Sequence, residues 1–303
     1  MRRRALGTVA VVAGLLLGGC GSDSSSNGGK AASTTAAAVT TGGGTAASGD
    51  PAACAVGNTL TDGKLVVATG NPAFPPYVID DDPASGKGFE SAVAYAVADE
   101  MGFAHDAVSW VRTGFDEAVQ PGPKNFDMNI QQYSINDERK QVVGFSEPYY
   151  TSSQAIFGYA DSPAAKVDNV EGFAALRLGA AVGTTSLDYI NDVIKPKSAA
   201  LVFNDNAAAK AALDAKQVDA IVSDLPTALY ITSAEIEGTV VYGQFPVDDK
   251  FPGDNFGILM AKDSPLIPCV DAALDALKSS GELQRITTEW MADYTKAPVI
   301  GFG

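Results

Sequence analysis

Residues 132–150 are QYSINDERKQVVGFSEPYY, and this stretch decides both the fold class and the predicted site. Residues 126–130, FDMNI, precede it and are predicted to form a short strand that ends in a polar turn. The turn carries a hydroxyl at Ser134 and, on a predicted helical turn, a guanidinium at Arg139. A guanidinium can donate to both oxygens of a carboxylate at once, which a lysine ammonium cannot do. The stretch therefore predicts a carboxylate-binding site at the end of a strand.

The composition narrows the class of protein. The chain has 303 residues, of which 46% are hydrophobic and 19% charged, so we expect one large or two modest domains with packed cores. The formal net charge of −15 argues against a nucleic-acid partner, because phosphate binding requires a basic face. There is a single histidine, His105, and no His, Cys and carboxylate cluster has metal-ligand spacing in the sequence. We therefore expect no metal, no cofactor and no Ser-His-Asp catalysis.

Parts of the stretch 132–150 resemble a known family. SINDERK at 134–140, followed by GFS at 144–146 and YY at 149–150, is similar to the signature (S/T)-I-T-x-E-R…D-F-S-x-x-Y-Y. That signature belongs to family 3, the polar amino-acid type, of the extracytoplasmic solute-binding proteins of ABC importers. The resemblance covers residues 64–294.

This resemblance implies an α/β protein with the two-lobe, type II periplasmic-binding-protein fold. Each lobe is expected to be a mixed, mostly parallel sheet flanked by helices. Lobe one is predicted to comprise residues 54–151 and 256–303, with lobe two, residues 152–255, inserted in it. Two hinge crossings, near residues 150–154 and 254–257, would join the lobes.

The N-terminal region predicts export and anchoring. Residues 1–19 combine three arginines with an apolar run too short to span a bilayer, which is typical of a signal peptide. Cys20 follows directly and resembles the lipidated cysteine of a lipobox; the alternative is an ordinary signal peptide with an incidental cysteine. Residues 20–53 are rich in Gly, Ser, Ala and Thr and predict a flexible tether. We therefore expect an extracytoplasmic lipoprotein, in the periplasm or at the cell surface, attached to the membrane through Cys20.

Cys54 and Cys269 are predicted to form a disulfide, because an even pair of cysteines in an exported protein is usually bonded. The bond would pin the start of the folded region to a predicted helix at 266–279. The alternative is a pair of buried free thiols.

The resemblance also assigns the groups that hold the main-chain atoms of an α-amino acid. Ser134 and Arg139 of lobe one contact the ligand carboxylate, together with Thr184 and Thr185, which lie in a small-residue turn that begins a helix of lobe two. Asp224, within the pattern V-D-A-x-x-x-D-x-P, contacts the α-ammonium; the alternative is that Asp224 only caps the next helix. Both ends of the zwitterion are held only when the lobes close, so the ligand favours the closed state.

The ligand side chain is expected to contact five residues. The resemblance maps one aromatic wall of the site to Phe74, in a proline-rich loop, and a second wall, opposite the first, to Phe115. Asn71, Gln132 and Tyr133 are polar residues suited to hydrogen-bond an uncharged polar side chain. We therefore expect a polar neutral amino acid, with basic and sulfur-containing amino acids left open.

Together these expectations give a monomeric protein that binds an L-amino acid and delivers it to the permease subunits of an ABC importer, without catalysing a reaction. One alternative is a tethered sensor that reports ligand occupancy to a membrane receptor. Another is a dehydratase on the same fold, which would need a general acid in the site. Glu117 and Asp224 are the candidates for that acid in the sequence.

Overall fold

The computed structural model describes residues 49–248 and 252–301. The predicted signal peptide, Cys20 and most of the predicted tether lie outside the described residues. Within these two ranges, no helix is both long enough and apolar enough to cross a membrane.

The described strands form two five-stranded sheets. The first sheet contains β1 (Leu65–Thr69), β2 (Val108–Arg112), β3 (Met128–Asn129), β4 (Val143–Ser152) and β10 (Asp254–Ala261), in the spatial order β2-β1-β3-β10-β4. The second contains β5 (Gln154–Tyr159), β6 (Leu178–Ala181), β7 (Leu201–Phe203), β8 (Ala220–Asp224) and β9 (Thr239–Gln244), in the order β7-β6-β8-β5-β9.

Both sheets are mixed, as predicted. In the first, β1 pairs in parallel with β2 and β3, whereas β10 pairs antiparallel with β3 and β4. In the second, β6 pairs in parallel with β7 and β8, whereas β5 pairs antiparallel with β8 and β9. Parallel pairings therefore make up half of each sheet rather than most of it.

Helices flank the sheets. They are α1 (Pro51–Ala55), α2 (Phe89–Glu100), α3 (Phe115–Val119), α4 (Asp137–Lys140), α5 (Val170–Phe173), α6 (Thr185–Tyr189), α7 (Asn206–Asp214), α8 (Leu225–Tyr230), α9 (Ile267–Ser280) and α10 (Glu282–Met291). Both α6 and α8 continue as a π-helical turn, Ile190–Ile194 and Ile231–Glu235 respectively. Short 3-10 turns occupy Ile79–Asp81, Pro83–Ser85, His105–Ala107, Pro163–Lys166 and Ala292–Tyr294.

The core of the first lobe follows from helical periodicity. Phe89, Val93 and Val97 recur every four residues of α2 and are fully buried on one face, which packs against the first sheet with α9 and α10. Helix α9 ends at Gly281, whose left-handed φ of 79° suits a glycine in this position. The second sheet has its own cores, with β5 contributing Ile156 to one face and Phe157 to the other. Each lobe therefore has core clusters of its own.

The crossings between the lobes lie side by side. Strand β4 of the first sheet runs almost directly into β5 of the second, and β9 returns to β10 through residues 245–253. Asp254 pairs with Ser152 in the β4–β10 ladder, so both crossings meet at one edge of the lobes. This arrangement matches the two predicted hinge crossings.

The end of the chain differs from the predicted lobe boundary. Residues 256–303 were assigned to lobe one, yet Ile300 is 4% exposed within a core of the second sheet. The amide of Ile300 donates to the Gln244 carbonyl, and the Gln244 amide donates to the Pro298 carbonyl, each at 2.8 Å. Gly243 permits this approach, because a Cβ there would lie 2.6 Å from an Ile300 side-chain carbon. The remaining lobe boundaries stay a prediction.

The beginning of the described chain is more ordered than expected. Helix α1 starts at Pro51, where residues 20–53 were predicted to be a tether, and Asp50 caps it through the Ala52 amide at 3.0 Å. Cys54 within this helix is bonded to Cys269 of α9, as predicted. The start of the folded region is therefore attached to lobe one.

Candidate ligand-binding site

The two lobes enclose a cavity of about 540 Å³. The loops that follow β1, β2, β3, β6 and β7 line it, as does the end of β8, so the cavity lies at the carboxyl ends of the parallel strands of both sheets. Nine of the ten residues predicted to bind the ligand line this cavity: Asn71, Phe74, Phe115, Gln132, Ser134, Arg139, Thr184, Thr185 and Asp224. Tyr133 does not.

Arg139 lies at the centre of the cavity wall. The Asn136 side chain caps the short helix α4 by accepting from the Arg139 amide at 2.8 Å. This bond fixes the backbone from which the Arg139 side chain extends. The guanidinium is buried, with 6% of the residue exposed, and donates to the carbonyls of Ser134 (2.8 Å) and Gly183 (2.7 Å). Burial lowers the pKa of Arg139, and the nearby acidic groups, Tyr133 foremost and then the carboxylates, partly offset this. Because these acceptors are neutral, the buried cation has no carboxylate hydrogen-bonded to it in the part of the chain that the structure describes.

The turn after β6 faces Arg139 from lobe two. Thr184 caps α6 by accepting from the Leu187 amide at 3.2 Å, and its own hydroxyl donates to the Ala181 carbonyl. The hydroxyl of Thr185 lies 3.3 Å from that of Ser134, across the two lobes. The predicted carboxylate-binding groups of both lobes therefore meet at one point in the cavity.

Asp224 lies at the end of β8 and serves as the predicted helix cap. One carboxylate oxygen, Oδ1, accepts from the Thr227 amide at 3.1 Å and from the Tyr77 hydroxyl at 2.5 Å. Burial raises the pKa of Asp224 above its usual range. The Tyr77 hydroxyl therefore reaches from lobe one to a carboxylate of lobe two.

The second aromatic wall differs from the one expected. Phe115 stacks on Tyr133 at 4.6 Å and lies beneath Arg139, whose Cζ is 5.2 Å from the ring centroid. Phe74 instead faces Tyr230 of lobe two, with ring centroids 6.3 Å apart and planes 12° apart. Tyr230 could not be found from sequence, because nothing local to α8 places it opposite Phe74.

The prediction that Tyr133 contacts the ligand is not supported by its position. The residue is completely buried, and its hydroxyl donates to the Gln131 side-chain oxygen at 2.9 Å. Its ring supports Phe115 from behind and packs into a small core with Phe126 and Leu259. Tyr133 is therefore a packing residue beneath the cavity wall.

Gln132 is held by a buried acid that the sequence did not identify as part of the site. Its backbone φ is 49°, and its amide donates to Glu90 Oε1 at 2.8 Å, while its side-chain Nε2 donates to Glu90 Oε2. The Tyr149 hydroxyl also donates to Glu90, at 2.5 Å. Burial raises the pKa of Glu90 to about 7, although these hydrogen bonds oppose the shift. The signal in the sequence was an acidic residue, Glu90, next to the apolar residues of helix α2.

Carboxylates outnumber cations around the cavity. Among the described residues of the lining, the basic ones are Arg139 and Lys210, and this lysine pairs with Glu235 at 3.0 Å. The acidic residues of the lining are Asp80, Asp81, Asp116, Glu117, Asp205, Asp224 and Glu235. The cavity can therefore hold a cationic group as well as a carboxylate.

Comparison with known proteins agrees with this geometry. The model of the bacterial extracellular solute-binding proteins, family 3, matches residues 65–293. The arginine-binding periplasmic protein of Mannheimia haemolytica is 30% identical over 224 residues, covering 73% of this chain and 88% of that protein. The ABC transporter glutamine-binding protein of Bacillus subtilis is 26% identical over 218 residues, covering 70% and 76%.

A solved structure is similar as well. The arginine-, lysine-, histidine-binding protein ArtJ of Geobacillus stearothermophilus superposes with a TM-score of 0.64 at 26% identity, covering 78% of this chain and 96% of that one. The two mixed sheets, the cavity between them and these matches lead to one assignment. The chain belongs to the bacterial extracellular solute-binding proteins of family 3.

Proposed function

We propose that this protein captures an L-amino acid between its lobes and delivers it to the permease subunits of an ABC importer. The observation that carries the proposal is the placement of Arg139 and Asp224 in the wall of one cavity. One is a buried cation hydrogen-bonded to neutral oxygens, and the other is a half-buried carboxylate. An α-amino acid carries the opposite charge for each of them on a single carbon atom.

The carboxylate end of the ligand is assigned to Arg139, Ser134 and the turn at Thr184 and Thr185. A guanidinium has more N–H donors than its two carbonyl partners use, so it can still hold a carboxylate. A buried charge without an opposite charge beside it is costly in free energy. The buried Arg139 guanidinium therefore strongly favours binding of the ligand carboxylate. The α-ammonium is assigned to Asp224 Oδ2, because the hydrogen bonds from Tyr77 and Thr227 both use Oδ1.

Closure of the lobes supports delivery to an importer. In this structure Ser134 approaches Thr185, and Arg139 contacts Gly183, so groups of both lobes surround the same space. A ligand held by both lobes favours the closed form by its extra contacts there. An importer that recognises the closed form then receives only the loaded protein.

The side chain of the ligand has two candidate classes. Asn71 and Gln132 line the cavity and support the polar neutral amino acid expected from sequence. The carboxylates Asp116 and Glu117 also line it, and favour a cationic side chain. The named relatives include both an arginine-binding and a glutamine-binding protein, which is consistent with either class.

The remaining parts of the proposal concern location. Lipidation of Cys20 and a tether over the following residues would hold the protein, as a monomer, at the outer face of the membrane. Metabolic labelling with a palmitate analogue tests this, since a Cys20→Ala variant should lose the label and leave the membrane fraction. Label retained by that variant would contradict the anchor.

Ligand identity is tested by stripping the folded region, residues 49–303, of carried-over ligand by unfolding and refolding, and by screening all L-amino acids by thermal shift. A ligand that binds only the folded state raises the melting temperature by mass action. We expect a large rise with one or a few amino acids. No rise with any amino acid would contradict the proposed function.

A further inference from the structure

A loop of lobe one carries two of the predicted ligand-binding residues, and an ion pair joins its two ends. The loop, residues 70–81, follows β1 and contains Asn71 and Phe74, both of which line the cavity. Asp81, at the far end of the loop, lines the cavity as well. Arg112, the last residue of β2, pairs with Asp81 at 2.7 Å. Neither member of this pair belongs to the predicted set of ligand-binding residues.

Strand register places Arg112 beside the start of the loop. Thr69 and Arg112 end β1 and β2, and they are partners in the parallel ladder. Nη1 of Arg112 donates to the Gly70 carbonyl and to Asp81 Oδ1, each at 2.7 Å, and Nη2 donates to the Asp81 carbonyl at 2.5 Å. A planar guanidinium donates in fixed directions, so these bonds set the distance between the two ends of the loop. We call Arg112 and Asp81 the loop clamp.

The carboxylate of the loop clamp also fixes the backbone next to Phe74. Oδ1 of Asp81 accepts from the Ala73 amide at 2.9 Å, one residue before the aromatic ring. The Phe74 carbonyl in turn accepts from the amides of Tyr77 and Val78 at 3.1 and 3.0 Å. Hydrogen bonds therefore hold the backbone on both sides of Phe74, and one of them depends on Asp81.

The backbone at the end of the loop is strained. Asp80 and Asp81 have φ values of 55° and 54°, in the left-handed region that residues with a Cβ rarely adopt. Such a conformation persists only where the surrounding contacts hold it. Arg112 supplies these contacts, because it bonds both the carbonyl and the carboxylate of Asp81. Strain of this kind clusters at ligand-binding positions, which fits the place of Asp81 in the cavity wall.

We infer that Arg112 and Asp81 are positioning residues for the ligand side chain, and that they hold the loop so that Phe74 faces Tyr230 across the cavity. This inference rests on the proposed function. A loop that is free to move loses conformational entropy when a ligand orders it, and this loss weakens binding. A loop already held by the clamp avoids the loss, so the clamp should strengthen binding through Phe74.

The first measurement needs no ligand. Amide hydrogen exchange, read by mass spectrometry on peptides that cover residues 70–82, reports how often the loop opens. We expect exchange there to be about 5- to 10-fold faster in Arg112→Met, which keeps a long side chain but has no donors. Arg112→Lys is a second variant and should give an intermediate rate. Asp81→Asn keeps the acceptor oxygen, so its loop should exchange more slowly than that of Arg112→Met.

The second measurement is a double-mutant cycle with Phe74. The probe is L-arginine or L-glutamine, whichever raises the melting temperature more, and dissociation constants are measured by titration calorimetry. We expect Arg112→Met to raise the constant about 3- to 10-fold in the wild-type background but less than about 2-fold in Phe74→Ala, where the clamp has no ring to position.

Arg177→Met is the matched control for both measurements. Arg177 also pairs with an aspartate at 2.7 Å, Asp219, but neither residue lines the cavity. This variant should change neither the exchange of the loop nor the dissociation constant.

Unchanged exchange in Arg112→Met would overturn the inference, because the loop would then be held without the clamp. Equal weakening of binding with and without the Phe74 ring would overturn it as well, because Arg112 would not act through Phe74. A wild-type protein that binds no amino acid would remove the proposed function and the positioning role with it. The exchange measurement would still decide whether the clamp holds the loop.

Discussion

The hydroxyl of Tyr77 in lobe one donates a 2.5 Å hydrogen bond to Asp224 in lobe two. Tyr77 is buried and Asp224 is half-buried. Burial together with the charge of Asp224 raises the pKa of Tyr77 well above its usual value. The tyrosine therefore stays neutral and remains a donor. This contact holds one oxygen of Asp224 and joins the lobes directly.

Removing that hydroxyl should weaken ligand binding. Tyr77→Phe leaves the ring packed but removes a hydrogen bond to a charged group, worth about 1.5–3 kcal/mol. We expect the dissociation constant for the best amino acid of the screen to rise about 10-fold or more by calorimetry. Tyr95→Phe is the control, because the Tyr95 hydroxyl bonds the Ala84 carbonyl within lobe one. Wild-type affinity in Tyr77→Phe would show that the contact does not support the closed form.

Arg139 should be the largest single contributor to affinity. Arg139→Ala leaves the ligand carboxylate buried without its partner, which costs about 2–5 kcal/mol. Arg139→Lys keeps the charge but loses the planar pair of donors, so it should fall between wild type and alanine. Arg177→Ala is a surface control, since Arg177 pairs with Asp219 on the exterior of lobe two. A folded Arg139→Ala protein with unchanged affinity by calorimetry would remove Arg139 from the site.

Tyr230 should act on the ligand side chain rather than on its main chain. Opposed to Phe74 across the cleft, its ring can contact a long side chain, and an aromatic contact is worth about 0.5–1.5 kcal/mol beyond area burial. We expect Tyr230→Ala to weaken L-arginine or L-glutamine by several-fold and L-alanine much less, with Tyr230→Phe close to wild type. An equal loss for long and short side chains would instead indicate a contact between lobes only.

Glu90 should make stability depend on pH. Its pKa rises from 4.5 to about 7 on folding, so the folded protein holds a proton that the unfolded chain releases. This contribution is complete below pH 4.5 and is lost as pH rises through about 7, a change of about 3 kcal/mol. Glu90→Gln cannot ionise and should flatten the difference in unfolding free energy between pH 5 and 8, measured by urea denaturation. Parallel pH profiles for the two proteins would contradict this assignment.

Sequence was most informative where a function depends on residues close together in the chain. Ser134 and Arg139 lie on one strand-turn-helix connection, and Asp224 ends a strand and caps the following helix, so local patterns place them. Tyr230 was missed because its position depends on a partner far along the chain. It meets Phe74 only where the two lobes face each other.

The alternation of side chains along a strand explains why Tyr133 was predicted to contact the ligand. The residue follows a strand so short that the sequence does not show which face each side chain takes. Gln132 has a positive φ of 49°, which reverses the expected alternation and places Tyr133 behind Phe115. Backbone conformation at a single residue therefore decided which of two adjacent polar residues lines the cavity.

The chain end bonded to Gln244 is a third covalent connection between the lobes, and we expect it to limit how widely the cleft can open. Met291 is buried in the first lobe, while Pro298 and Ile300 bond to the second. Only residues 292–297 connect them, and six extended residues span at most about 20 Å. Longer linkers inserted after Tyr294 should increase the radius of gyration of the ligand-free protein in X-ray scattering, whereas an unchanged radius would show that the crossings alone set the limit. The length of the segment 292–297 would then set the width of the entrance, and hence the largest solute that the cleft can admit.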